Sequence, residues 1–162
     1  VDWNDQEFAL APGGYSNYSA QFPHDVDLTL GIDNPAQGWP YIHPGPDDGW
    51  AGGRAHPLKL NFELATVPAG DLQLVVFLLD SHNTAPGTVD VTLNGGAGTT
   101  VSIPTGSGTG YASGSAFTSG DQPSQFAVTL PAAQLVAGKN VVTINKSSGS
   151  WMVYDAVGIY QA

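Results

Sequence analysis

The apolar spacing between positions 58 and 79 limits this chain more than any other feature. Leu58, Leu60, Phe62 and Leu64 alternate with Lys59, Asn61 and Glu63, the period-2 pattern of a strand with one face buried. Residues 72–79, LQLVVFLL, follow as a nearly unbroken apolar run, which predicts a central strand covered on both sides. Around this pair, 21 glycines and 12 prolines cut the 162 residues into short segments, and that punctuation favours an all-β fold. Further strands are expected at 6–10, 25–32, 89–93, 101–103, 126–130, 141–144 and 151–160. A turn at Asn94-Gly95-Gly96 closes a hairpin. PAAQLVAG at 131–138, with Pro at its start and Gly at its end, is the one helical segment. Residues 104–120 are Gly, Ser and Thr around two large anchors, Tyr111 and Phe117, and predict a long irregular loop. The expected architecture is an all-β sandwich of eight or nine strands, one domain over residues 1–162.

Composition narrows the function classes. Hydrophobic residues make up 41%, enough to exclude general disorder. The absence of cysteine removes disulfides, thiolate nucleophiles and cysteine metal sites together. No run of about 18 apolar residues predicts a membrane span. Neither an initiating Met nor a signal-like start is present, as expected of a mature or excised fragment. Fourteen acidic against four basic side chains give a formal charge of −10. That surface repels phosphate backbones and anionic lipid, so neither nucleic acid nor membrane is an expected partner. Twelve of the acids are Asp, a turn former and a common Ca²⁺ ligand. Scarce Lys with abundant Gly, Ser, Thr, Asn and Asp suits a secreted, extracellular protein, expected to be a monomer.

The unusual chemistry lies in residues 33–57, a long loop leading into the strand at 58–64. Trp39, Tyr41, His43, Trp50, Arg54 and His56 fall within 18 residues. Flat aromatic faces stack on the C–H patches of sugar rings, and polar side chains hold the hydroxyls. The alternative for each ring is to pin the loop onto the core. Asp48, in the Asp47-Asp48-Gly49 turn, is a candidate sugar ligand or a turn former. His82 and Asn83 follow the strand at 72–79 and project at one edge of the sandwich, as sugar contacts or as turn caps. Trp151 opens the last strand as a further stacking candidate.

Asp155 interrupts the otherwise apolar WMVYDAVGIY, and a carboxylate there is costly unless paired or bound to a cation. Glu7 lies in the first segment. With the termini side by side, the two carboxylates plus backbone carbonyls would make an oxygen site for Ca²⁺. The alternative is an edge position where Asp155 meets water. For catalysis there is no GxSxG elbow, HExxH pair or phosphate-cradling loop. His43 or His56 beside Arg54 could serve a glycan lyase as base and uronate clamp, and paired carboxylates a glycoside hydrolase.

WPYIHPGPDDGWAGG…LKLNFEL, DVTLNGG, LPAAQLVAGKNVVTIN and WMVYDAVGIY occur in an order that resembles one known arrangement. The chain looks like the C-terminal domain of rhamnogalacturonan lyases (polysaccharide lyase family 4), and more broadly the galactose-binding-like carbohydrate-binding modules. The matching features are Val91 to Gly95, Leu135 to Asn140, and Tyr154-Asp155. The resemblance implies a jelly-roll sandwich with a structural calcium between the first and last strands, at positions matched by Glu7 and Asp155. It implies a non-catalytic module that carries the catalytic domain of a larger secreted enzyme to a plant cell-wall polysaccharide or oligosaccharide. A small glycan lyase or hydrolase, and a ligand-free spacer of a multidomain lyase, are the alternatives. With only Arg54, Lys59, Lys139 and Lys146 as cations, a neutral glycan side chain suits this charge better than a polyuronate.

Overall fold

The computed structural model describes residues 2–112 and 122–162. Phe117 and most of the tail of the 104–120 segment lie outside those residues. The alternating stretch forms β3 (Leu58–Leu64), with Leu58, Leu60 and Phe62 buried and Lys59 and Glu63 exposed. The apolar run forms β4 (Leu72–Ser81). Leu72, Leu74, Val76 and Leu78 are buried, while Gln73, Val75 and Phe77 on the other face are half-buried. Trp3 packs edge-on against Phe77 on that second face. A bulge between Leu78 and Asp80 then turns Leu79, Asp80 and Ser81 all inward.

The remaining strands are β1 (Val26–Thr29), β2 (Ile42–His43), β5 (Thr88–Leu93), β6 (Thr99–Ser102), β7 (Ser124–Leu130), β8 (Gly138–Ser148) and β9 (Met152–Gln161). One sheet runs β1-β3-β8-β5-β6 and the other β2-β9-β4-β7. The pairs are antiparallel except β1 with β3, which is parallel. Side chains of both sheets share one buried cluster that includes Leu58, Val142 and Ile144 from the first and Leu74, Val128 and Met152 from the second. This is the expected β-sandwich.

Four local expectations are corrected. Residues 6–10 form turns rather than a strand: Ala9 makes a single parallel bridge at Pro40, donating to Trp39 O and accepting from Tyr41 N. The turn at Pro12-Gly13-Gly14 then leads the chain away. The strand at 25–32 stops at Thr29, because Asp33 accepts the Thr29 N–H at 2.7 Å. Leu30 and Ile32 are therefore exposed, Ile32 by 80%. The 33–57 loop contains a short helix, α1 (Pro35–Gly38), capped by the Asn34 side chain, then β2 and a 3-10 turn at Gly49–Ala51. The helical segment at 131–138 shrinks to a 3-10 turn, Ala132–Gln134. Leu135 turns into the core, and the Asn140 amide takes both the N–H and the C=O of Val136, so no second turn can wind. The hairpin turn is as expected: Asn94 and Gly95 both have positive φ, the conformation that Asn-Gly favours.

Leu74 is fully enclosed between the sheets, so Leu74→Ala should cost about 2–5 kcal/mol. Urea unfolding should show a lower midpoint with an unchanged slope.

Candidate functional site

Three loops converge at one end of the sandwich, and their backbones touch. Ser150 N donates to Ala85 O, Asp47 N to Gly149 O, and His82 N to Trp151 O. A β-carbon on Gly45 would lie 2.2 Å from Gly149 O, and one on Gly87 2.0 Å from Ser148 O. Asp48 bridges the loops from inside, accepting from Gly45 N at 2.7 Å and from the Ser150 hydroxyl. Lys146, at the end of β8, is fully buried and donates to the carbonyls of Pro86 and Ser148. Burial pushes its ammonium down to about 8, and Asp48 and Asp47 pull it back up.

On this base stands a chain of rings. His82 meets Trp151 (5.9 Å between centroids), Trp151 meets Tyr111 (5.9 Å), Tyr111 meets Tyr15 (5.3 Å), and Tyr15 meets Trp50 (4.9 Å). Every contact is edge-on, a favoured aromatic arrangement. Tyr111 is 42% exposed, Tyr15, Trp50 and His82 are half-buried, and Asn83 is exposed beside them. Trp151 is the buried ring of the series. The segment carrying Tyr111 is held by Asp80, at the end of β4. Its carboxylate accepts from Ser107 N (2.7 Å), Ser107 Oγ (2.5 Å), Thr109 N (3.2 Å) and Gly110 N (2.7 Å). Tyr41 adds a second tie by donating its hydroxyl to Tyr111 O at 2.7 Å. His82 Nδ1 accepts from Ala85 N and Thr84 N, so the ring proton resides on Nε2 and offers a fixed donor.

The structure thus brings together Trp50, His82, Asn83 and Trp151 of the expected sugar contacts. It separates the others. Trp39 is 2% exposed, packed edge-on against Tyr154, and has no face to offer. Tyr41 is equally enclosed. Burial holds its phenol protonated, with the nearby Asp5 adding to the shift. His43 is fully buried, with Nε2 donating to His56 O and Nδ1 accepting from the Tyr154 hydroxyl, both at 2.7 Å. Desolvation pushes it down to about 3, so it stays neutral. Asp48 is committed to Gly45 and Ser150. Arg54 is exposed but stands apart from the ring series, 3.6 Å from Asp25 and bonded to Ala55 O. His56, the alternative base beside Arg54, is buried and donates Nε2 to Ala51 O at 2.8 Å. Neither His43 nor His56 is therefore exposed to act as the predicted base beside Arg54. Tyr15, Tyr111 and Asp80 are the members that sequence reasoning missed. The linear signal for the two tyrosines was an aromatic side chain in an otherwise polar segment, and Asp80 gave none beyond its place after a strand.

Glu7 and Asp155 line one cavity. Asp155 is 2% exposed on β9; Oδ1 accepts from Asn4 N at 3.0 Å, while Oδ2 is enclosed without a partner. Burial raises the carboxyl, and the backbone N–H groups of Asn4 and Trp3 oppose that. An enclosed carboxylate oxygen with no donor fits a cation. No group of three or more His, Cys, Asp or Glu side chains gathers among the described residues, so backbone oxygens would have to complete the shell.

A family model described as "CBM-like: Polysaccharide lyase family 4, domain III" matches residues 1–159. No curated protein matches the chain. Among solved structures, an exo-β-1,3-galactanase from Phanerochaete chrysosporium is 18% identical with a TM-score of 0.42, over 65% of this chain and 21% of that one. The chain thus spans about a fifth of the galactanase. A family 35 carbohydrate-binding module from an environmental isolate is 15% identical with a TM-score of 0.39, over 67% and 70% of the two chains. The family 35 module of Abf62 from Cellvibrio japonicus is 17% identical with a TM-score of 0.35, over 67% and 69%.

His43 yields a pH dependence. Its folded pKa of about 3 lies below the unfolded value of 6.5, so below pH 6.5 the unfolded chain takes up a proton that the folded chain refuses. Stability should fall by about 1.4 kcal/mol per pH unit as pH drops from about 6 towards 3. Denaturation series across that range should show the slope reduced by about one proton in His43→Gln.

Proposed function

Because the chain belongs to the CBM-like family of polysaccharide lyase family 4, domain III, we propose that it is a non-catalytic module that binds carbohydrate through the Trp50–Tyr15–Tyr111–Trp151–His82 end. The observation that carries this reading is the ring series itself: five aromatic rings from five separate segments meet on the loops of one end. Tyr111 and Trp50 offer ring surface to the C–H faces of a sugar. His82 Nε2–H and the Asn83 amide supply donors at the margin, and Asn83 Oδ1 an acceptor. A shallow surface of this kind gives weak affinity per site, with selectivity set by a few polar groups.

The module carries the catalytic domain of a parent enzyme, a polysaccharide lyase or glycoside hydrolase, to plant cell-wall polysaccharide outside the cell. It acts as a monomer. Among pectic and related glycans, a net charge of −10 favours neutral side chains over the polyuronate backbone. Calcium is proposed as a structural ion held by Glu7 and Asp155, where it would tie the N-terminal segment to β9. When bound, it supplies positive charge to the enclosed Asp155 carboxylate and no chemistry on the glycan.

Affinity gels containing arabinogalactan, galactan or polygalacturonate test the function. Retention without release of product is the expected outcome, and Tyr111→Ala and Trp50→Ala should each weaken it about tenfold or more. Product release would make the chain an enzyme, and migration unaffected by every glycan would leave a spacer. For the ion, Ca²⁺ should raise the melting temperature and EDTA lower it. Asp155→Asn should abolish the difference while leaving retention on the gel intact.

A further inference from the structure

A second concave site lies away from the ring series, at the open edge of the sandwich. β2 covers β9 only at Met152 and Val153, so Asp155, Ala156 and Val157 face the edge where β1 and β3 begin the other sheet. Between them is a cavity of about 660 Å³, within the roughly 300–1,000 Å³ common for small-molecule sites. Its walls are largely apolar, with Phe8, Leu28, Leu60 and Val157 among them. At its mouth stand Ile32, Asp33 and Asn34, all exposed. The Asn34 amide nitrogen carries two donors beyond the cap that its oxygen makes.

Two enclosed polar atoms belong to residues of this wall and have no partner: the Trp39 indole Nε1 and Asp155 Oδ2. Both residues are 2% exposed. A buried donor left unmet destabilises the folded chain, so the native state has reason to recruit an acceptor here. A cation on Asp155 would satisfy the carboxylate and leave the indole N–H unmet. The charge of the wall also selects. Its described lining carries three carboxylates, Glu7, Asp33 and Asp155, and no Lys, Arg or His side chain, so the wall disfavours an anionic guest.

We propose that this cavity is a second carbohydrate site, for a neutral sugar unit with an apolar flank, such as a 6-deoxy or O-methyl sugar. The class of guest rests on the carbohydrate reading of the chain; the location does not. Hydroxyls of the guest accept from the Trp39 indole and Asn34 and donate to Asp33, while its methyl group lies on the aliphatic wall.

The test uses the whole chain and three sugars that differ only at C6: D-fucose (methyl), D-galactose (hydroxymethyl) and D-galacturonate (carboxylate). The readout is the four indole N–H resonances in ¹⁵N-correlated NMR spectra, with Trp39→Phe assigning the buried one. D-Fucose should shift the Trp39 resonance saturably, D-galactose should do so about tenfold more weakly, and D-galacturonate should leave it unmoved. Ala156→Phe, which fills the cavity, should abolish the shift, and Ile32→Ala, at an exposed position, should weaken it without loss of fold. With Ca²⁺ held constant in every sample, the proposal is overturned if no sugar moves the Trp39 resonance, or if D-galacturonate moves it as strongly as D-fucose. Sugars that move only the Trp50 and Trp151 resonances would also overturn it, while leaving the loop-end site intact. Shifts at Trp39 alone would instead remove the loop-end site and keep this one.

Discussion

The loop end of this protein depends on a contact that excludes side chains. Gly45, Gly87 and Gly149 bring three backbones together so closely that a β-carbon on Gly149 would sit 2.6 Å from Gly87 Cα. Gly87 and Gly149 also have φ of +68° and +77°, a region that other residues enter at a cost. The backbone bonds that cross this junction fix the direction in which His82 and Trp151 leave their strands. Trp151 then sets where Tyr111 can lie, and Tyr111 sets Tyr15 and Trp50. The ring series is therefore a consequence of backbone packing two layers beneath it.

Burying so many polar groups at one end needs internal partners, and each enclosed charge has found them. Lys146 rests on two carbonyls with Asp47 and Asp48 nearby, Asp48 on Gly45 and Ser150, and Asp80 on four donors of one segment. Removing one member of such a set leaves the other buried and unpaired, which costs more than the bond itself. These groups hold the loops in a single arrangement, and the apolar core between the sheets stabilises them in it. Rigid loops lower the ordering cost of binding, which matters most where each sugar contributes little.

Strand periodicity carried most of the fold. Leu58 to Leu64 and the run at 72–79 lie in strands with the expected inward faces, and the Asn94 turn has the geometry that its residues favour. Where the reading failed, a single side chain had intervened: Asp33 ended β1, and Asn140 stopped the helix after Gln134. The candidate site was half legible. Trp50, His82, Asn83 and Trp151 stand at one end, but they meet through Tyr15 and Tyr111, which lie in polar segments far from them in sequence. Period and spacing report on neighbours in sequence, and the contacts that make the site span up to about a hundred residues. Asp80 was hidden for the same reason, since an acid after a strand looks like a turn former until its donors, 27 to 30 residues away, are in place.

The aromatic density of residues 39–56 misleads for a physical reason. A segment that crosses the end of a sandwich must bury its backbone, and this one does so by adding Trp39, Tyr41, Ile42 and Ala51 to the core that the sheets share. Trp39, His43 and His56 pack with Tyr18 and Tyr154, Tyr41 bonds to Tyr111 O, and of the segment's aromatic rings only Trp50 is left half-exposed. His43 and His56 donate their Nε2 protons to backbone carbonyls that the segment would otherwise bury unpaired. The ring nitrogens that could have served as a base are thus spent on folding. The acids are divided too: Asp48 and Asp80 are consumed inside the loops, while Glu7, Asp33 and Asp155 line the edge cavity. Asp48 and Asp80 are held beneath the rings by their hydrogen bonds, so ring surface rather than carboxylate is what the loop end turns towards an uncharged glycan.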